Sequence, residues 1–219
     1  MGRCAAKHGM QHAEVGILGG TFDPIHNGHL VLARSACDAL GLDEVLFMPT
    51  NQPNFKQQQQ VTPAPQRVAM VRLAIAGQPR FRLDCREVAR GGVTYTLDTL
   101  EELAREYAGA RLNFILGADS ACSLVHWRGA ERLVQLARFV VAARPGTSVQ
   151  RVQQVHAASS LNFDLTFVEA PACDVSSTVI REVLCRGQQP PEGQLPPAVH
   201  DYICAQGLYT GPVGPKAGE

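Results

Sequence analysis

Short apolar runs alternate along the chain with stretches of helical period. EVGILG (14–19), EVLFMP (44–49), FRLD (81–84), RLNFILG (111–117), RFVVAAR (138–144) and LTFVEA (165–170) read as strands. Each is brief and apolar, and several end in Gly, Pro or Asp. Between them, GHLVLARSACDALG (28–41), PAPQRVAMVRLAIAG (63–77), TLDTLEELAREYAG (96–109), GAERLVQLA (129–137), VQRVQQVHAAS (149–159), SSTVIREVLCRG (176–187) and PPAVHDYICAQG (196–207) read as helices. Gly41 and Gly77 end two of them, and proline opens the second. This alternation predicts an α/β fold: a Rossmann-like open parallel sheet with helices on both faces. Such sheets take ligands beyond the carboxyl ends of their strands. The loop after the first strand is therefore a place to look for chemistry.

Composition narrows the class. The chain has 219 residues, enough for one large domain over 14–210 between loose ends at 1–13 and 211–219. Lys plus Arg and Asp plus Glu are 20 each, so no basic excess marks a nucleic-acid partner. The seven cysteines are scattered without a C-x-x-C pair. That pattern points to reduced thiols in a cytoplasmic protein rather than a disulfide framework. The N-terminal stretch lacks the apolar core of a secretory signal, Ala6 breaks the myristoylation pattern, and no run of apolar residues is long enough for a membrane span. No membrane partner is expected, and the oligomeric state is left open, a homo-oligomer included. PTNQPNF followed by KQQQQ makes a loop of about 14 residues, a length typical of functional or of disordered segments.

The first loop, LGGTFDPIHNGHL (18–30), has neither the P-loop nor the G-x-G-x-x-G pattern. It offers a glycine pair, a turn at Asp23-Pro24, and His26-x-Gly28-His29 opening a helix. The first N–H groups of a helix lack internal partners and favour an anion. Two histidines about one turn apart can converge on one phosphate, with Gly28 clearing its approach. Taken alone, the pair is also compatible with chance, Gly-Gly with a simple turn, and the imidazoles with zinc if a third ligand were supplied.

The eleven-residue string G-G-T-F-D-P-x-H-x-G-H resembles the signature of the nucleotidyltransferases that carry a (His/Thr)-x-Gly-His motif, and in its longer form bacterial nicotinate-nucleotide adenylyltransferases. The similarity continues through QRVAM (66–70), DCREVARGGVTYTLDTL (84–100), FILGADS (114–120), Trp127, ARPG (143–146), VSSTVIR (175–181) and VHDYICAQGLY (199–209). One position departs: Phe55 in PNFK stands where such proteins usually carry histidine, while Lys56 keeps register.

The resemblance implies an enzyme that joins ATP to nicotinate mononucleotide and releases pyrophosphate. It implies catalytic roles for His26, His29 and Arg181. Gly19, Gly20, Thr21, Phe22, Gly28, Gly117, Asp119, Ser176, Ser177 and Thr178 would bind ATP. Tyr95, Thr96, Trp127, Lys56 and Arg144 would bind the acceptor or phosphates. Magnesium would be held mainly through the ATP phosphates, with no protein metal site. Several of these residues have plainer uses too: Ser176–Thr178 as an ordinary helix cap and Trp127 as a core anchor; Arg128 could add charge toward the nicotinate carboxylate or simply face solvent. A sister enzyme with a phosphopantetheine or nicotinamide mononucleotide acceptor, and a non-catalytic nucleotide-binding regulator, are the competing readings.

Overall fold

The computed structural model describes residues 13–53, 61–143, 149–171, 173 and 175–211. Lys56 and Arg144, and the glutamine-rich tract, lie outside these residues.

The strands are β1 (Glu14–Gly20), β2 (Glu44–Pro49), β3 (Gln52–Pro53), β4 (Phe81–Leu83), β5 (Val93–Thr94), β6 (Arg111–Gly117), β7 (Arg138–Ala143) and β8 (Leu165–Glu169). The helices are α1 (Asn27–Leu40), α2 (Ala64–Ala74), α3 (Arg86–Arg90), α4 (Thr96–Glu106), α5 (Ala118–Ser123), α6 (Ala130–Leu136), α7 (Val149–Ala157), α8 (Ser177–Cys185) and α9 (Pro197–Ala205), with a 3-10 turn at Leu124–His126 after α5. All six main strands run parallel in the order β4-β2-β1-β6-β7-β8. The chain moves outward from β1 in one direction and then returns to start again at β6. The β1–β6 junction is thus the topological switch point, where such sheets open a ligand crevice.

Alternation along the strands builds a core on each face. Leu18, Val45, Phe47, Ile115, Val140, Ala142 and Val168 pack with α1, α2, α8 and α9. Val15, Ile17, Leu46, Met48, Leu112, Phe114, Leu116, Phe139 and Val141 pack with α4, α5, α6 and α7. Neighbours in one strand thus point to opposite layers, the period-2 rule of a two-sided sheet. Gly41 ends α1 in the left-handed region at φ 62°, the role its type suggests. No helix among the described residues is long and apolar enough to cross a membrane.

Three elements are additional to the pattern. Helix α3 forms between the Asp84 and Gly91 turns, and α5 with its 3-10 turn follows β6 directly. The third is a two-residue parallel ladder, Gln52↔Val93 and Pro53↔Thr94. Helices this short cannot nucleate by propensity alone. Side chains fix α3: Arg86 donates to Asp84 and Glu106, and Thr99 donates to Glu87.

Candidate active site

The first loop leaves β1 at the switch point. Thr50 N–H donates to Gly20 O at 3.0 Å, tying the ends of β1 and β2. Phe22 takes φ +50°, a left-handed conformation that a bulky residue rarely adopts. Its ring is buried, edge-on to the His29 imidazole with centroids 5.0 Å apart, and it packs on Phe47. A Cβ on Gly20 would come within 3.2 Å of that ring. The glycine therefore serves the packing of Phe22 as well as any ligand. A cis Asp23-Pro24 peptide follows, and His26 caps α1 from extended backbone.

The two imidazoles sit together, stacked with ring centroids 3.8 Å apart. His26 N–H donates to His29 Nδ1 at 3.2 Å. Because Nδ1 accepts, the proton of a neutral His29 ring resides on Nε2. His26 is only 5% exposed. A Cβ added to Gly28 would lie 3.0 Å from His26 Nδ1 and 3.1 Å from Cε1. The nearest need for glycine at 28 is therefore the His26 ring itself, in addition to any clearance for phosphate.

Helix α8 faces this loop with its N-terminus. Ser176 caps it, accepting from Thr178 N–H. The Ser177 hydroxyl donates to Pro24 O at 2.9 Å. Arg181, one turn on, donates from Nη1 to Asp23 O at 2.6 Å and from Nη2 to Thr178 Oγ1 at 3.4 Å. His26, His29, Ser177, Thr178 and Arg181 are thereby gathered about one loop, though α1 and α8 are far apart in sequence.

One residue that shapes the loop has no role in the motif reading. Arg67 on α2 is 1% exposed and spends its guanidinium on three carbonyls: Thr62 O at 2.7 Å, Thr21 O at 2.6 Å and Asn51 O at 2.9 Å. Burial pushes its pKa down from the usual arginine value, and the nearby Asp23 charge opposes that shift. The sequence does carry a signal: Arg67 shares the buried face of α2 with Met70, Val71 and Ala74. A cation at an apolar-stripe position needs a reason.

A second set of expected residues lies beyond β2 and β6. The β3–β5 ladder, with Asn51 Nδ2 donating to Gly92 O at 3.0 Å, brings the segment after β2 beside Tyr95 and Thr96. Tyr95 caps α4 and Thr96 is its first residue, so the helix mouth opens there. Trp127 meets Phe114 of β6 edge-on at 5.9 Å and donates from Nε1 to Ser123 Oγ at 3.1 Å. It is half-buried, combining the anchor use with an accessible face. Arg128 lies over the Tyr95 ring, 4.5 Å from its centroid, and 3.7 Å from Asp98. The guanidinium thus joins the Trp127 segment to the mouth of α4. Gly117 caps α5 from the end of β6, with open space where a side chain would project, and Asp119 is exposed in the first turn. Among the described residues no group of three or more His, Cys, Asp and Glu could hold a metal ion.

The Cytidylyltransferase-like family model matches residues 17–183. A probable nicotinate-nucleotide adenylyltransferase of Corynebacterium kroppenstedtii is 42% identical over 205 residues, spanning 93% of this chain and 95% of the relative. One from Dehalococcoides mccartyi is 42% identical, spanning 91% of this chain and 98% of the relative. Among solved structures, the Plasmodium falciparum nicotinic acid mononucleotide adenylyltransferase complexed with NaAD has TM-score 0.73 at 21% identity, covering 90% of this chain and 98% of that one. That likeness shows a shared fold. The fold and the matched family model define a cytidylyltransferase-like protein, and within that group the chain belongs to the nicotinate-nucleotide adenylyltransferase family. It is an enzyme.

Proposed function

We propose that the protein transfers the adenylyl group of ATP to nicotinate mononucleotide, yielding nicotinate adenine dinucleotide and pyrophosphate. A phosphate oxygen of the mononucleotide attacks the α-phosphorus in line. The new P–O bond forms as the bond to the β-phosphate bridging oxygen breaks, and pyrophosphate leaves with the electron pair. ATP enters as its magnesium complex, the ion held by phosphates and water. The work of the protein is then placement and stabilisation of growing charge.

The observation that carries this reading is the convergence of His29, Ser177 and Arg181 on residues 22–29. His29 donates its Nε2–H to a non-bridging oxygen of the α-phosphate. His26 backs it by stacking and supports the neighbouring phosphate. Arg181, with Ser176, Ser177 and Thr178 at the mouth of α8, meets the departing pyrophosphate from the other side; a guanidinium suits phosphate because it can fork onto two oxygens. Gly19, Gly20, Thr21, Phe22 and Gly28 shape the floor beneath the triphosphate, and Gly117 and Asp119 face the adenosine. Trp127 stacks on the pyridine ring. The N–H groups at Tyr95 and Thr96 meet its carboxylate, where an amide would set donor against donor. Lys56 and Arg144 supply further phosphate contacts. The reading also carries a cytoplasmic setting.

The test is pyrophosphate release from ATP with three acceptors: nicotinate mononucleotide, nicotinamide mononucleotide and phosphopantetheine. Release fastest with the first is expected. Release only with phosphopantetheine, or with none while ATP still binds, overturns the proposal.

A further inference from the structure

Tyr209 lies four residues beyond α9 with φ +61°, left-handed backbone that an aromatic residue seldom takes. Its hydroxyl donates to Asp23 Oδ1 at 2.7 Å, across 186 residues. The other carboxylate oxygen of Asp23 accepts the Thr62 N–H at 3.2 Å, and its main-chain carbonyl is the one that Arg181 grips at 2.6 Å. Asp23 is 4% exposed. One buried residue thus joins the turn after α9, the N-terminal approach to α2, and the guanidinium of α8.

Three facts make this junction more than a stabilising bond. The loop it holds contains the left-handed Phe22, a conformation that persists only when its surroundings over-determine it. The Asp23 carbonyl is a direct anchor of Arg181, so a rotation of Asp23 redirects that guanidinium. The Tyr209 hydroxyl is a dependable donor, because burial, with the Asp23 charge added, pushes its pKa far above the usual tyrosine value.

We propose that Tyr209 is a positioning residue: the turn after α9 is a strap whose hydroxyl fixes Asp23 and, through the Asp23 carbonyl, aims Arg181 at the leaving phosphates. The aim of Arg181 rests on the adenylyl-transfer reading; the strap itself does not. Displacements on the order of 1 Å in a positioning group cost up to about a hundredfold in rate. Loss of one hydrogen bond to a charged acceptor is worth roughly tenfold or somewhat more.

Tyr209→Phe removes only the hydroxyl. Leu42→Val trims a buried core side chain just before β2, at the end of the sheet opposite the first loop, and leaves the turn after α9 untouched. Both variants and the wild type are compared for kcat and KM, melting temperature, and amide hydrogen exchange over residues 20–25. Tyr209→Phe is expected to lower kcat about tenfold with each KM within about twofold, and to speed exchange over 20–25. Leu42→Val is expected to lower the melting temperature while keeping kcat. Unchanged exchange in Tyr209→Phe overturns the strap whatever the rate does. Wild-type kcat in Tyr209→Phe, or an equal loss in Leu42→Val, overturns the positioning role. A wild type without turnover fails the adenylyl-transfer reading instead, and the exchange measurement still decides the strap.

Discussion

Arg67 Nη1 donates to the main-chain oxygen of Thr21 at 2.6 Å from a fully buried guanidinium. The same side chain reaches Asn51 O and Thr62 O, so one residue of α2 fixes three loop segments at the site. Arg67→Met leaves three carbonyls without a donor, and Arg67→Lys cannot span the same fork. Each variant is expected to lose about 2–4 kcal/mol of stability. Urea unfolding measures this, and a loss below about 1 kcal/mol would contradict it. Turnover should fall in the surviving folded protein as well.

His29 has two nitrogens with two tasks, and substitutions separate them. His29→Asn can keep an acceptor for the His26 N–H but loses the Nε2 donor. His29→Ala loses both. Turnover should fall about a hundredfold or more in each, while His29→Asn melts closer to the wild type. Near-normal turnover in His29→Asn would show that Nε2 does not carry the chemistry.

Gly28→Ala should separate stability from activity. Alanine is the better helix former, worth up to about 1 kcal/mol. Its Cβ, however, would sit at 3.0 Å from the His26 ring. The expected outcome is a melting temperature near or above the wild type, with turnover reduced about tenfold as the imidazole pair shifts. Steady-state kinetics beside thermal melts check both signs.

Glu87 gives a pH signature. Burial raises its pKa from an ordinary 4.5 to about 7, although the Thr99 hydroxyl and the Arg90 charge pull it back. A carboxyl whose pKa is raised on folding binds protons more readily in the native state. Its stabilising contribution is complete below about 4.5 and is lost as pH climbs through 7. Glu87→Gln is neutral throughout. It should exceed the wild type in stability at pH 8, by at most roughly 3 kcal/mol, and the gap should close by pH 5. Denaturant unfolding across that range reads the difference; parallel curves would rule the mechanism out.

The main strands and longer helices were legible because burial on two faces leaves apolar runs, and because glycines and prolines mark the ends. The His26–His29 pair was legible for a different reason: short-range spacing within one loop is visible in one line of sequence. Helices α3 and α5 were not, since five or six residues carry no period and depend on partners such as Asp84 and Thr99. The expected end of β7 at Arg144 lies outside the described residues. The task of Arg67 was hidden because its acceptors are carbonyls, which every residue owns. The spacing offers Gly28 as clearance for a phosphate, whereas the atoms nearest to an added Cβ are those of His26. The meeting of Asp23 with Arg181 and Tyr209 depends on tertiary closure that no local pattern encodes.

That closure has a consequence for how the molecule comes into being. The Arg181–Asp23 bond links positions 158 residues apart, and the Ser177–Pro24 bond 153. Contacts of such high sequence separation are entropically slow to form. A nascent chain that has already paired β1, β2 and β6 still lacks the Arg181 guanidinium beside its first loop. On the adenylyl-transfer reading, recovery of activity after refolding is expected to lag behind any probe of the sheet, and simultaneous recovery would contradict that order.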